Sequence, residues 1–336
     1  MARTIIIRQP ASSTSPATPN LVELEDVNES FFMPGPVVID VAYSTINYKD
    51  ALVLTGQPRV VKAFPLVAGI DVVGVVQSST DSRWKPGDRV VLNGTGLSET
   101  QHGGLAQRAV VSGDYLIRIP DQFSLAQAAA IGTAGYTAAL SIARLQAAGL
   151  SSSNDRPVLV TGATGGVGSI AIMVLNALGH SVAALTGRAT QYGAYLEGLG
   201  ASQVIGRDEL TNDGPPLQQT RWAGVLDTVG GTILHNALAQ TIYGGTVTTC
   251  GLAASAALST TVMPFILRGV TLAGIDSVMT AYPARIQAWT LLADTVDTAQ
   301  LDKLTTTVPL SQAIDTAHEL LDGKHHGRII VDVNAL

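Results

Sequence analysis

The sequence predicts an α/β protein in which a doubly wound parallel sheet follows a β-rich domain. Three observations support this prediction. A glycine-rich stretch, 161–168, stands between an apolar strand and an amphipathic helix; strands and helices alternate after it; and about 160 residues with strand patterns precede it. At 336 residues the chain is long enough for two domains with separate cores.

The first part of the chain, roughly 120 residues, is expected to be mainly β structure, because short apolar-rich runs alternate with clusters of proline and glycine. A segment rich in Ser, Thr and Pro, 10–20, is expected to be a surface loop. Strands are predicted at 4–8, 21–24, 37–43, 72–77, 89–92, 107–111 and 116–119.

The glycine-rich stretch reads Thr-Gly-Ala-Thr-Gly-Gly-Val-Gly over 161–168. A buried parallel strand is predicted before it, at 157–160, and apolar residues at helical spacing from Val167 to Leu178 predict that a helix begins within the glycines. Glycines let the backbone turn tightly and approach phosphates, whose charge meets the unpaired N–H groups of a helix N-terminus. Together these features predict a site for a dinucleotide pyrophosphate.

The residues after the next predicted strand, 181–185, indicate which dinucleotide binds. An NAD site normally has an Asp or Glu about 20 residues past the glycines, which accepts hydrogen bonds from the adenosine ribose. Here Thr186, Gly187 and Arg188 stand instead, and a hydroxyl with a guanidinium suits a 2′-phosphate. The sequence therefore predicts NADPH; the alternative is that Arg188 is only a solvated residue at the start of the next helix.

Alternation continues through predicted strands at 203–205, 224–227, 246–250 and 270–275, as expected of a doubly wound sheet. Two helical stretches follow residue 284, and 327–332 is predicted as a last strand. A nucleotide domain with β structure before it and one strand after it suggests that the tail returns to the first domain. The expected domains are 1–125 and 126–283, with 284–336 as the returning segment.

The composition argues against several classes of function. A formal net charge of −6, without a dense block of Lys and Arg, argues against nucleic-acid binding. The single cysteine, Cys250, excludes a disulfide framework and a multi-cysteine zinc site, and it fits a reducing cytoplasm. Charge-free stretches at 124–143 and 157–187 are interrupted by glycines and polar residues, so no membrane association is expected. With 46% hydrophobic residues, an oligomer interface is expected.

The glycine pattern also fits short-chain dehydrogenases, which begin with the nucleotide unit and use a Tyr-x-x-x-Lys pair. This interpretation fails, because the motif lies about 160 residues into the chain and no tyrosine has a lysine four positions later. Further characteristic sequence blocks occur along the chain, in this order: 46–51 (Ile-Asn-Tyr-Lys-Asp-Ala), 64–65, 69–74, 85–90, 131–138, 186–188, 226–230, 250–252, 262–268 and 274–279. With the glycine motif, these blocks resemble the medium-chain dehydrogenase/reductase superfamily, and within it the quinone oxidoreductase-like group and its NADPH-dependent acrylyl-CoA reductase branch.

The resemblance implies a GroES-like catalytic domain and a Rossmann domain. It implies a substrate pocket in which Tyr48 lies beside the nicotinamide and either positions the substrate or donates a proton. Asn47, Asp50 and Asp71 line the floor of this pocket, and these four residues are the predicted catalytic residues. A sheet-edge strand at 269–277 would pair with a second copy to form a homodimer. The cofactor contacts implied by the resemblance or by the motifs are Tyr48, Thr164, Gly165, Gly166, Val167, Thr186, Gly187, Arg188, Arg207, Leu252, Ile266 and Ser277.

Zinc-dependent members of the superfamily place a cysteine where Asn47 and Tyr48 stand, and Gly-His-Glu where this chain has Gly69, Ile70 and Asp71. A catalytic zinc needs three protein ligands, and this set is not present in the sequence. The resemblance therefore implies a reductase without a metal.

An α,β-unsaturated carbonyl needs no metal, because it accepts hydride at the β-carbon and carries the resulting charge as an enolate. We expect a zinc-independent, NADPH-dependent reductase of activated C=C bonds, acting on acrylyl-CoA or a similar small enone or enoyl thioester. The alternatives are an NADPH:quinone oxidoreductase and an NADPH-binding protein without catalysis. Asp50 and Asp71 either take part in the chemistry or cap turns and hold Lys49 or a backbone N–H. Arg59 and Lys62 are candidates for CoA phosphates or are simply solvated.

Overall fold

The computed structural model describes residues 1–10, 18–57 and 60–335. Most of the loop predicted at 10–20, and Arg59, therefore lie outside the described residues. The chain divides into two compact units. The first consists of Met1–Thr133, Ser277–Ile286 and Leu301–Leu336, and the second of Ala134–Asp276 and Gln287–Gln300.

Strands dominate the first third of the chain, and strands and helices alternate after it. The strands are β1 Ala2–Arg8, β2 Leu21–Val27, β3 Val37–Thr45, β4 Leu66–Val67, β5 Asp71–Ser79, β6 Arg89–Asn93, β7 Arg108–Val111, β8 Ile117–Arg118, β9 Val158–Thr161, β10 Val182–Thr186, β11 Gln203–Gly206, β12 Trp222–Asp227, β13 Thr241–Thr249, β14 Thr271–Gly274, β15 Thr305–Pro309 and β16 Arg328–Asp332. The helices are α1 Tyr48–Leu54, α2 Leu125–Ala147, α3 Gly166–Ala177, α4 Ala189–Gly198, α5 Gly231–Ala239, α6 Met263–Arg268, α7 Tyr282–Thr295, α8 Thr298–Lys303 and α9 Ala313–Leu321.

The first unit is β-rich. One sheet has the order β2-β1-β4, and a larger one has the order β15-β16-β3-β5-β6-β8, with β7 also pairing with β3. The late strand β16 runs antiparallel to β3 and parallel to β15, so it lies inside the larger sheet. Inward-facing residues of β3, including Val37, Ile39 and Val41, are buried in the core beneath this sheet.

The second unit contains one six-stranded sheet of order β11-β10-β9-β12-β13-β14, and every neighbouring pair is parallel. Its central strands are buried along their whole length: all four residues of β9 and all six of β12 are buried, as expected where helices cover both faces of a parallel sheet. The strand order reverses between β9 and β12, and ligands of such sheets bind outside the carboxyl ends of the strands at this point. The predicted doubly wound fold is confirmed.

Among the residues described, no helix is both long enough and apolar enough to cross a membrane. The longest helix, α2, is interrupted at Gly132, whose φ of 46° and ψ of −158° are not helical. The chain therefore enters a second helical segment at Thr133, and this second N-terminus matters for the site described next.

Candidate active site

The glycine motif forms the turn between β9 and α3 in the second unit. Gly162 has a φ of +60°, and a Cβ there would lie 2.2 Å from the Thr228 hydroxyl oxygen. A Cβ on Gly168 would lie 2.6 Å from the carbonyl oxygen of Gly162. Both positions therefore require glycine. The exposed Gly165 stands just before the first turn of α3, so the backbone N–H groups of that turn are open to an anionic ligand.

Two arginines follow the carboxyl ends of the neighbouring strands β10 and β11. Arg188 donates a hydrogen bond of 2.8 Å to the Thr164 hydroxyl, and its guanidinium lies 4.7 Å from the centre of the Tyr192 ring. Arg207 packs directly on Gly187, where a Cβ would lie 2.8 Å from the guanidinium Nε. In the part of the chain that the structure describes, no carboxylate oxygen lies within 4.0 Å of the Arg207 guanidinium. This end of the sheet is cationic and suits a phosphate.

Asp227, at the end of β12, ties three adjacent strands together. Its carboxylate accepts hydrogen bonds from the hydroxyls of Thr161 at 2.8 Å and Thr249 at 3.0 Å, and from the backbone N–H of Gly230 at 3.0 Å. Burial raises the pKa of Asp227, and these hydrogen bonds act in the opposite direction. Sequence reasoning missed this role, although Asp227 belongs to one of the blocks that carry the resemblance.

Cys250 follows β13, and its thiol donates to the carbonyl of Asp227 at 3.4 Å. Burial, followed by the charge of Asp227, raises the pKa of the thiol to about 12. The raised pKa disfavours the thiolate at neutral pH and argues against Cys250 as a nucleophile.

A pocket of about 630 Å³ opens beside Cys250 in the second unit, with Leu252 in its lining. Two other predicted cofactor contacts lie elsewhere. Ile266 is on α6 with 71% of its surface exposed, and Ser277 belongs to the first unit.

The predicted catalytic residues Asn47, Tyr48, Asp50 and Asp71, called the catalytic block below, begin at Asn47, which is the N-cap of α1. Asp50 completes a capping box: one carboxylate oxygen accepts from the backbone N–H and from the side-chain amide of Asn47, both at 2.9 Å. Its other oxygen accepts the backbone N–H of Ile70 at 2.8 Å. Asp50 is completely buried, and burial together with the neighbouring Asp71 charge raises its pKa to about 7.

Asp71 is also completely buried and accepts hydrogen bonds from four residues. One oxygen accepts from the Asn93 amide at 2.7 Å and from Thr133, through its backbone N–H at 2.9 Å and its hydroxyl at 2.6 Å. The other accepts from the Asn47 amide at 2.9 Å and from the Thr45 hydroxyl. Asp71 therefore caps the second segment of α2, where the helix dipole favours a negative charge.

These contacts bear on both interpretations of the carboxylates. Both hold backbone N–H groups from buried positions, as the capping alternative proposed. Lys49 contacts neither of them and pairs with Glu99, which also accepts from Lys62 at 2.8 Å. Of the four predicted catalytic residues, Tyr48 is the most exposed, with 46% of its surface accessible.

His102, just before Gly103, is buried among aromatic rings. Its Nδ1 accepts the backbone N–H of Val67 at 3.1 Å, and its ring packs against Phe31 and Phe32. Burial lowers the pKa of His102, which keeps the ring neutral at pH 7. Its contacts are structural. Among the described residues, no group of three or more His, Cys, Asp or Glu side chains is placed to hold a metal ion.

Comparisons with known proteins match both parts of the chain. Residues 33–121 match the alcohol dehydrogenase GroES-like domain, and residues 166–294 match the domain described as zinc-binding dehydrogenase. The probable acrylyl-CoA reductase AcuI of Escherichia coli is 43% identical over 314 residues, which is 94% of this chain and 96% of that protein.

Two solved structures are similar along the whole chain. The yhdH oxidoreductase of Salmonella enterica, in complex with NADP, has a TM-score of 0.94 at 41% identity, covering 99% of this chain and 100% of that one. Bacillus subtilis yhfP, with NAD bound, has a TM-score of 0.92 at 38% identity, covering 99% of each chain. The resemblance noted in the sequence is confirmed: the chain belongs to the medium-chain dehydrogenase/reductase superfamily of oxidoreductases.

Proposed function

We propose that this protein reduces the activated C=C bond of a small enoyl thioester, acrylyl-CoA first among them, with NADPH as the hydride donor. Its E. coli relative is named as a probable acrylyl-CoA reductase. The observation that carries the proposal is the arrangement at α1: the half-exposed Tyr48 side chain follows a helix cap whose carboxylates, Asp50 and Asp71, are buried and hydrogen-bonded. Such a site offers a hydrogen-bond donor to a substrate oxygen without a metal.

The residues fit NADPH. The glycine positions 162 and 168 leave no room for side chains, and Arg188 and Arg207 stand at the ends of β10 and β11. We assign Thr164, Gly165, Gly166 and Val167 to the pyrophosphate, and Thr186, Gly187, Arg188 and Arg207 to the 2′-phosphate. Leu252, Ile266, Ser277 and Tyr48 remain predicted contacts of the nicotinamide half. When bound, NADPH supplies the hydride that the β-carbon of the acceptor receives.

The protein's own part in the reaction is orientation and hydrogen bonding. We assign the Tyr48 hydroxyl to the carbonyl oxygen of the substrate, where a donor stabilises the charge of the enolate. The reduction is complete when the α-carbon of the enolate takes up a proton, supplied in the end by water. The start of α1, which carries Tyr48, is held in place by Asn47, Asp50 and Asp71. Their polar atoms form hydrogen bonds with one another and with neighbouring N–H donors.

A steady-state assay of NADPH and NADH against acrylyl-CoA, methyl vinyl ketone and benzoquinone tests the proposal. We expect acrylyl-CoA turnover with a clear preference for NADPH, and a loss of about 100-fold in kcat in Tyr48→Phe. Comparable rates with NADH would contradict the cofactor assignment. Quinone turnover well above enone turnover, with activity that survives Tyr48→Phe, would identify a quinone reductase. NADPH binding without turnover on the panel would indicate a protein without catalysis.

We also propose a cytoplasmic homodimer that forms along β14. This strand is at one end of the six-stranded sheet, and the nearby helix α6 exposes Leu267 by 55% and Ile266 by 71%. Light scattering should give twice the 34.8 kDa mass of one chain, and Leu267→Lys should shift the protein to monomers. A monomeric unmodified protein would contradict this assembly.

A further inference from the structure

Arg328 is a buried arginine that reaches the predicted catalytic block from a distant part of the chain. It is the first residue of β16, between β15 and β3, and only 2% of its surface is exposed. Its Nε donates to the carbonyl of Ala130 at 2.5 Å, and its Nη1 donates to the side-chain oxygen of Asn47 at 3.0 Å. One planar guanidinium thus joins the first segment of α2 to the N-cap of α1.

This contact determines the orientation of the Asn47 amide. A guanidinium only donates, so the amide oxygen must face Arg328 and the amide nitrogen must face the other way. There the nitrogen lies within hydrogen-bond distance of three acceptors: the Thr45 hydroxyl at 2.8 Å, Asp50 at 2.9 Å and Asp71 at 2.9 Å. An amide nitrogen carries two hydrogens, so both are engaged inside the protein. Asn47 therefore acts as a structural junction.

The positive charge of Arg328 also interacts with two buried carboxylates of this region, Asp50 and Asp71. Burial lowers its pKa, and the carboxylates of Asp71 and Asp50 act in the opposite direction. Two buried carboxylates repel each other, and a buried cation beside them offsets part of that repulsion. Gly132 keeps this space open: a Cβ there would lie 2.9 Å from Arg328 Nη2 and 3.0 Å from an Asp71 oxygen.

We propose that Arg328 is a positioning residue of the reductase site: it fixes the amide of Asn47 and thereby the start of the helix that carries Tyr48. The inference rests on the proposed function, because its first test measures kcat for that reaction. It assigns a role to a residue whose hydrogen bonds go to Ala130 and Asn47, and the bond to Asn47 is the one that reaches the start of α1.

A double-mutant cycle tests this role, with Arg328→Met, Asn47→Ala and the combined variant. We expect Arg328→Met to lower kcat at least tenfold while the dissociation constant of NADPH, followed by its fluorescence, changes by less than about twofold. If Arg328 acts through Asn47, the combined variant is no more than about twofold slower than Asn47→Ala alone. Losses that multiply in the combined variant would overturn the proposal.

Two further variants keep the test decisive. Arg328→Lys keeps the positive charge, but an ammonium group cannot donate to Ala130 and Asn47 with the planar geometry of a guanidinium. This variant should therefore fold and recover only part of kcat. If Arg328→Met fails to fold, the cycle is run with Arg328→Lys. Arg89→Met is the matched control, because Arg89 belongs to the same unit and donates to the carbonyl of Phe123 instead. Its kcat should stay within about twofold of the unmodified protein. A tenfold loss in this control would overturn the specific role of Arg328.

The inference and the proposed function fail in different ways. If the unmodified protein does not reduce acrylyl-CoA, the proposed function is wrong before any variant is made. The cycle is then measured in the unfolding equilibrium constant from urea titrations, which needs no substrate. A coupling of less than about twofold between Arg328 and Asn47 in that measurement would overturn the inference.

Discussion

Replacing Asp50 by asparagine should change how the stability of this protein depends on pH. The Asp50 carboxyl is completely buried, and three N–H hydrogen bonds, from Asn47 and Ile70, favour its charged form. Burial and the nearby charge of Asp71 outweigh these bonds and raise its pKa from 3.8 to about 7. The amide of an Asp50→Asn variant would have nearly the same size and no proton to lose as the pH rises.

The magnitude and sign follow from this shift. A rise of about three pKa units corresponds to about 4 kcal/mol, at about 1.4 kcal/mol for each unit. Because the folded protein holds the proton more tightly than the unfolded chain, the contribution is fully present below pH 3.8 and is lost as the pH rises through about 7. The free energy of unfolding should therefore fall across this range relative to a protein without the carboxyl.

Urea titrations between pH 4 and pH 8 measure this effect in the unmodified protein and in Asp50→Asn. Titrating groups remote from Asp50, including His102, contribute equally in both proteins, so the difference between the two unfolding free energies reports on Asp50 and its coupling with Asp71. That difference should change by about 4 kcal/mol in favour of Asp50→Asn as the pH rises. A difference that stays constant to within about 0.5 kcal/mol would mean that Asp50 is ionised throughout, and the reasoning from burial would be wrong.

Three more predictions follow from particular contacts. Arg188→Ala should weaken NADPH binding by about 10- to 100-fold in fluorescence titrations and leave NADH within about twofold, because a charge-assisted bond to phosphate is lost; equal losses for both would contradict the 2′-phosphate assignment. Gly132→Ala should lower the free energy of unfolding by about 2–3 kcal/mol in urea, since its φ is +46°. Gly193→Ala, in α4 with nothing within 4 Å of a new Cβ, is its control and should not destabilise; similar losses in both would refute the strain argument. Cys250 should resist a thiol reagent at pH 8 until the protein is unfolded, given its raised pKa; full labelling of the native protein would contradict this.

The sequence predicted those parts of the fold that depend on local patterns. The strand β9 is read from a short apolar run because both of its faces are covered, and the helix α3 is read from apolar residues at helical spacing. The two-residue strand β4 and the short helix α1 have no comparable signal, because two to seven residues do not establish a period. The edge strand β14 is shorter than predicted, which is the usual uncertainty at element ends.

The residues of the candidate site also differ in whether a local sequence pattern reveals them. Arg188 could be found from the sequence because its distance from the glycines is fixed by one strand and one helix. Arg328 could not, because its contact with Asn47 joins residues 281 positions apart and leaves no local pattern. The roles of Asp50 and Asp71 stayed open for a related reason: their complete burial and their donors depend on tertiary packing.

The position of β16 inside the larger sheet has a consequence for biosynthesis. Tyr43, Ser44 and Thr45 pair with β16, whereas the earlier residues of β3 pair with β7, which is made much sooner. At about 5–20 residues per second, a ribosome needs roughly 15–60 s to translate the 281 residues from Asn47 to Arg328. During that interval the segment leading into α1 is an open strand edge on the nascent chain. The region around α1 should therefore mature last and depend most on protection from aggregation while the chain is being made.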